Sequence, residues 1–253
     1  MSLSITGFGA CMIAGYPLQA EEGFLPRAVE QLRDEGRRQV ALESISMGGF
    51  PAQRACHHFA KRCLARRPDV VVLQFGSTDA SAPLRNAFFL RGSLHNGSHS
   101  RGKVSDRPPS MKDLVKWRLR SLASDLLLVP SLSPLEEYLA AMQTMVAEGC
   151  AAGCDVVVMS PFVMGGGRSN RCARRYTRAL ELRLRKFPRA HFLDAHDLLS
   201  QWPRRRMLLC DGFHLSPEAH QKLGQALAET IEGVVGRRCR AAADFSLPCA
   251  AGS

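Results

Sequence analysis

The sequence predicts an α/β fold: a three-layer α/β/α sandwich built on a parallel five-stranded sheet. Two observations carry that expectation. Strand-like and helix-like segments alternate along the chain, which calls for parallel strands, right-handed crossovers and helices on both faces of the sheet. Two of the strand-like segments, residues 69–75 (DVVVLQF) and 155–160 (DVVVMS), are near-continuous apolar runs, as strands covered on both sides should be. A length of 253 residues suits one such domain, and 45% hydrophobic with 23% charged residues supplies a core and argues against disorder.

Each element follows in order. Residues 3–9 read as a short buried strand. Residues 22–37 carry Phe24, Leu25, Val29 and Leu32 at helical spacing and close at Gly36. A second strand at 40–45 leads through a Gly48-Gly49 turn into a helix over 52–66. The third strand, 69–75, lies between Pro68 and Gly76. A helix over 134–152, a strand at 155–160, a basic amphipathic helix over 168–187 and a fifth strand at 190–194 come next. Ser216 caps the final helix with Pro217 at its first position, and apolar positions continue to Val235. The domain therefore spans 1–235, and 236–253 reads as a loosely held C-terminal tail.

An insertion at 81–133 interrupts this rhythm. Its polar first part, 91–110, is rich in Gly, Ser and His and reads as a loop, whereas 111–129 reads as a basic amphipathic helix. An insertion at the carboxyl edge of a parallel sheet sits where ligands bind. It is expected to act as a lid, to make peripheral membrane contact, to bind a partner, or simply to pack on the domain body.

The net charge of +11 favours anionic partners, although solvated surface arginines account for it equally simply. No nucleic-acid module accompanies that charge, so nucleic-acid binding is not expected. No run of 18 apolar residues and no secretory leader is evident. Nine cysteines, an odd number in a chain this long, make a poor disulfide framework, and a cytoplasmic protein with reduced thiols is the expectation. Cys150 and Cys154 lack a second Cys/His pair at zinc spacing, so no metal site is expected. His57 and His58 are adjacent in a helical pattern, cannot point the same way, and read as surface residues.

In open α/β sheets the loops after the strands build the site. After the first strand comes Gly9-Ala10-Cys11, then Gly15-Tyr16; after the second, Gly48-Gly49; after the third, Gly76-Ser77-Thr78-Asp79. Asp211-Gly212-Phe213-His214 precedes the final helix. A thiol, an imidazole and a carboxylate are the parts of an acyl-transfer triad. Two other readings fare worse. Gly7-Phe8-Gly9 begins a dinucleotide fingerprint, but Met12 replaces its third glycine and Pro17 interrupts the helix that should receive the pyrophosphate. An α/β-hydrolase needs a Gly-x-Ser-x-Gly elbow, and none occurs.

The four loops, in this order and spacing, resemble the blocks of the SGNH (GDSL-type) hydrolases across roughly residues 3–233. That resemblance implies a flavodoxin-like sheet and hydrolase or acyltransferase action, without cofactor or metal, on an ester-linked acyl group of a small molecule or carbohydrate, an anionic one included. It also implies roles: Cys11 as nucleophile where the first strand turns toward a helix, His214 as general base and acid, and Asp211 orienting it. The backbone N–H groups of Cys11 and Gly49, or Gly48 if the register slips, with the Thr78 hydroxyl, would hold the oxyanion. The chain departs from the family at three of these positions. Cys11 stands for Ser, Ala10 for Asp and Thr78 for Asn. A catalytically silent relative that binds a glycan, a lipid-linked substrate or a protein partner is the competing expectation.

Overall fold

The computed structural model describes residues 2–36, 39–81, 107–126 and 130–245. Five parallel strands, β1 (Ser2–Gly9), β2 (Gln39–Ser46), β3 (Val70–Gln74), β4 (Asp155–Met159) and β5 (Ala190–Leu193), form one sheet in the order β2-β1-β3-β4-β5. The chain leaves β1 in one direction to β2 and returns on its other side to β3. The crevice beyond the carboxyl ends of β1 and β3 is thus the topological switch point, where such sheets bind ligands.

Alternate side chains of the central strands feed two cores. Val70 and Val72 of β3 and Val157 of β4 point into the first, filled by α1 (Phe24–Gly36) and the last helix. Val71, Leu73, Val156 and Val158 point into the second, with Phe8, Tyr138 and Met142. Every residue of β3 and β4 is buried, which is why both read as unbroken apolar runs. Complete burial of each Val or Leu contributes about 1.5–3 kcal/mol. The edge strands β2 and β5 are only partly covered.

Two segments differ from expectation, and a third is described only in part. The single helix expected over 52–66 is two short helices, α2 (Ala52–Cys56) and α3 (Phe59–Arg62), and a 3-10 turn (Leu64–Arg66). The break falls at His57-His58, where His58 adopts φ −104° and ψ −7°. The second half turns there so that Phe59 meets Phe8 edge-on at 5.4 Å. His57 is exposed and His58 half-buried against Phe50.

The last helix differs at its far end. It runs 29 residues, Pro217–Phe245, ten past Val235, so part of the segment read as a tail is helical. Helix-favouring alanines and arginines continue it, and Arg238 ties it to Asp69 and Asp155 at the amino ends of β3 and β4 (3.5 and 4.0 Å). Residues 246–253 lie outside the described residues.

The insertion is the third. Its helix, α4, is described over Met111–Leu126, and residues 127–129 lie outside the described residues, as does most of the loop expected over 91–110. Beyond it come α5 (Leu135–Ala151), α6 (Gly167–Leu184), α7 (Ala195–Ser200) and α8 (Arg204–Met207), then the last helix, α9. Ser216 caps α9 as its sequence suggests, its Oγ accepting from the Ala219 N–H at 3.2 Å. Among the described residues no helix is long and apolar enough to cross a membrane.

Candidate active site

Strand β1 ends in Gly9, and the space there explains the glycine: a Cβ would lie 2.6 Å from the Gln74 carbonyl oxygen. Gly9 accepts from the Met47 N–H (2.7 Å), and the Ala10 N–H donates to Gln74 (3.0 Å). The turn leading to Cys11 is therefore stitched to the loop after β2 and to the end of β3. Cys11 opens a 3-10 turn of four residues, Cys11–Ala14. The helix expected at this point is thus a single turn, and its dipole contributes little to a thiolate. The group that faces the Cys11 sulfur is an imidazole.

That imidazole belongs to His214, 203 residues away, whose Nε2 lies 3.4 Å from the Cys11 Sγ. Its Nδ1 meets Asp211 Oδ2 at 2.5 Å. Asp211 Oδ1 in turn accepts the backbone N–H groups of Phe213 (2.8 Å) and His214 (3.0 Å), so the loop's own main chain holds the carboxylate. The short Asp-x-x-His spacing works because Gly212 adopts φ +68°, a left-handed conformation that favours glycine. A Cβ there would also lie 2.6 Å from Trp117 of α4.

His214 is 3% exposed, with the rings of Tyr16 and Phe213 edge-on to it at 5.0 and 5.2 Å. Burial pulls its pKa down, but the charge of Cys11 and the bonds to Asp211 and Cys11 outweigh it and push it up to about 9. Near neutral pH His214 is therefore an imidazolium, poised as a proton donor. Burial, then Cys11 and Asp211, raise the Tyr16 phenol. His220, one turn into α9, is the opposite case. Burial, with Arg27 and His214 nearby, pushes it down to about 3, and its neutral Nδ1 accepts the Phe24 N–H at 3.1 Å, tying α1 to α9.

Gly49 and Thr78 lie in the loops after β2 and β3, the strands that border β1 on its two sides. Gly49 has φ +75°, as the third residue of a turn closed by the Phe50 N–H on Met47 (2.9 Å). Among the described residues the N–H groups of Cys11 and Gly49 donate to nothing, and neither does the Thr78 hydroxyl. Asp79, next to Thr78, is structural. Its buried carboxylate accepts from the Ala52 N–H (3.1 Å) and the Ser133 hydroxyl (2.8 Å), and burial raises its pKa to about 6 against those bonds.

Cys11, His214 and Asp211 thus form one hydrogen-bonded chain of thiol, imidazole and carboxylate. Two contributors escaped the sequence reading. Tyr16 stood in a recognised turn with no role attached. Trp117 stood in an insertion whose face could not be oriented, yet it lies against Gly165 and Gly212 and donates from Nε1 to the Cys210 carbonyl at 3.1 Å. Among the described residues no cluster of three or more His, Cys, Asp or Glu is placed to hold a metal ion.

Comparison with known proteins agrees with this architecture. The model of the GDSL-like lipase/acylhydrolase family matches residues 4–222. No curated protein matches the sequence. Among solved structures, a lipase/acylhydrolase from Enterococcus faecalis is similar at 17% identity and a TM-score of 0.58, over 91% of this chain and 96% of that one. A psychrotrophic esterase from Pseudoalteromonas sp. is similar at 15% identity and a TM-score of 0.58, over 92% and 98%. A catalytic mutant of an acetylxylan esterase from Geobacillus stearothermophilus is similar at 16% identity and a TM-score of 0.60, over 90% and 94%. At these identities the likeness is one of fold.

Proposed function

The chain belongs to the GDSL-like lipase/acylhydrolase family, and from that premise we propose that it cleaves an ester-linked acyl group through a Cys11–His214–Asp211 thiol mechanism. The observation that carries the reading is the unbroken relay, 3.4 Å from Sγ to Nε2 and 2.5 Å from Nδ1 to the carboxylate. The Cys11 thiolate attacks the acyl carbon, and the carbonyl electrons move onto oxygen. The N–H groups of Cys11 and Gly49 and the Thr78 hydroxyl are the donors for that oxyanion. His214 gives its proton to the departing alkoxide, leaving an acyl-thioester. Neutral His214 then takes a proton from the attacking water, and the acid leaves as the thiol reforms. Thr78 offers one donor on a shorter side chain than Asn, and one such donor is worth about 2.7–4 kcal/mol in the transition state.

An acylated carbohydrate is the substrate class we favour, supported by the fold shared with the acetylxylan esterase. Helix α4, whose Trp117 packs on the Asp211–His214 loop, supports transfer to a sugar acceptor as a second outcome for the acyl-thioester. A thiol nucleophile must stay reduced, which fits a cytoplasmic setting. The competing reading, a silent domain that binds a glycan, lipid-linked substrate or protein partner, draws on the departures at Ala10, Cys11 and Thr78.

The test is hydrolysis of short acyl p-nitrophenyl esters and acetylated sugars by the protein, Cys11→Ala and His214→Ala. The expected result is turnover lost in both variants, with an acyl-thioester trapped on Cys11. Turnover that survives Cys11→Ala refutes the thiol mechanism, and binding of acetylated sugars without turnover supports the silent domain. Product analysis with added sugar acceptors separates transfer from hydrolysis.

A further inference from the structure

Helix α4 has two apolar faces, and only one is used inside the protein. Its inner face carries Trp117, 8% exposed, against the Asp211–His214 loop. Its outer face presents Met111, Val115, Leu119, Leu122 and Leu126, each 51–82% exposed. At 100° per residue these five fall within an arc of roughly 80°, one continuous stripe along four turns. Lys112 and Lys116 border it on one side and Arg118 on the other; all three are exposed and without a carboxylate partner among the described residues. The acidic flank residue Asp125 is neutralised by Arg171 of α6 at 2.6 Å.

Further basic side chains stand on the neighbouring helix α6. The Gly167 N–H meets Ser121 and Arg171 meets Asp125, each pair one turn further along its helix, so α6 runs beside α4 in the same direction. Arg171, Arg174, Arg175 and Arg178 then line a groove of about 530 Å³ past the end of α4.

From this arrangement we infer that the outer face of α4 docks on an anionic lipid bilayer. An apolar stripe with basic borders suits a helix that lies in the membrane interface, its apolar side chains among the acyl chains and its Lys and Arg at the headgroups. The charge favours an anionic surface over a neutral one. The docked state is peripheral, since no described helix is long and apolar enough to cross a membrane. The inner face gives the docking a consequence. The loop bearing Asp211 and His214 rests on the opposite side of the same helix, so docking holds the site about one helix diameter, 10–12 Å, from the lipid.

Vesicle flotation of the full chain tests this without any turnover, so it stands or falls separately from the ester chemistry. Vesicles of phosphatidylcholine are compared with vesicles of phosphatidylcholine and phosphatidylglycerol. The protein is expected to float with the anionic vesicles and to be released by salt. Leu119→Ser with Leu122→Ser lowers partition on the order of a hundredfold, at about 1.5 kcal/mol or more per leucine returned to water. Lys112→Gln, Lys116→Gln and Arg118→Gln together lower it by a similar factor, at about 1 kcal/mol per basic residue. Circular dichroism melts confirm that both variants fold. No flotation with either vesicle, equal flotation with both, or partition unchanged in the leucine variant overturns the inference. So does a concentration-dependent dimer in sedimentation that the leucine variant abolishes without any vesicle binding, which assigns the stripe to a second copy of the chain.

Discussion

If His214 is charged because Cys11 faces it, removing the sulfur must lower the pH at which the imidazole titrates. The distance from the ordinary imidazole value of 6.5 to about 9 amounts to roughly 3 kcal/mol in favour of the charged form. Burial works against that preference, so the partners overcome it as well as supplying the surplus. Cys11 contributes both charge and a hydrogen bond, while Asp211 contributes the rest. Cys11→Ala removes the first set and leaves burial and Asp211 in place. The imidazole midpoint, followed by NMR of the ring carbons across a pH titration, is expected to fall by more than about one pH unit. The Cys11→Ser variant adds a kinetic readout. If His214 donates the proton in the proposed reaction, the native acylation rate falls as pH rises through about 9, where the imidazolium is lost. A serine hydroxyl needs a neutral imidazole, so the variant's rate rises with pH through its lowered midpoint. A His214 midpoint that stays near 9 in Cys11→Ala refutes the assignment of Cys11 as its charge partner.

Asp211→Asn keeps the loop's shape but removes the anion that orients His214 and stabilises its charged form, and is expected to lower the His214 midpoint and cut acylation by about 10³–10⁴-fold in single-turnover assays. Gly212→Ala combines a left-handed φ of +68° with a Cβ 2.6 Å from Trp117. It should cost more than about 1 kcal/mol in urea unfolding, and Trp117→Phe in the same chain should recover little, because the backbone conformation remains. Asp79 is raised by burial from 3.8 to about 6, so between those values the folded protein holds a proton that the unfolded chain has lost. The stability this contributes is complete below about 3.8 and disappears as pH rises through about 6, roughly 3 kcal/mol in all. Asp79→Asn keeps an acceptor for Ala52 and Ser133 and should flatten that part of the urea-midpoint profile between pH 4 and pH 7. An unchanged slope counts against a buried, titrating Asp79.

The parts of the site that were legible in the sequence are those encoded locally. The Asp-x-x-His pair sits on one turn, the glycines mark strand ends, and the apolar runs of β3 and β4 announce burial on both faces. The helix over 52–66 was not legible as two pieces, because its break answers to where Phe59 meets Phe8. The reach of α9 to Phe245 was missed for a similar reason. Periodicity shows where an apolar stripe ends, whereas Arg238 holds the last turns through ion pairs to distant strands.

What the sequence determined by itself was the order of elements, the loops that converge, and the chemical inventory of thiol, imidazole and carboxylate. Tertiary structure alone decided that Cys11 and His214 come within 3.4 Å and that the turn at Cys11 is too short to supply a helix dipole. It also decided which face of α4 turns inward. Both faces of that helix carry apolar residues, and Trp117 won the inner position because Gly165 and Gly212 leave room for an indole. Propensity and periodicity act over a few residues. A contact across 203 positions, or a choice between two apolar faces, is settled only when every other packed surface is in place.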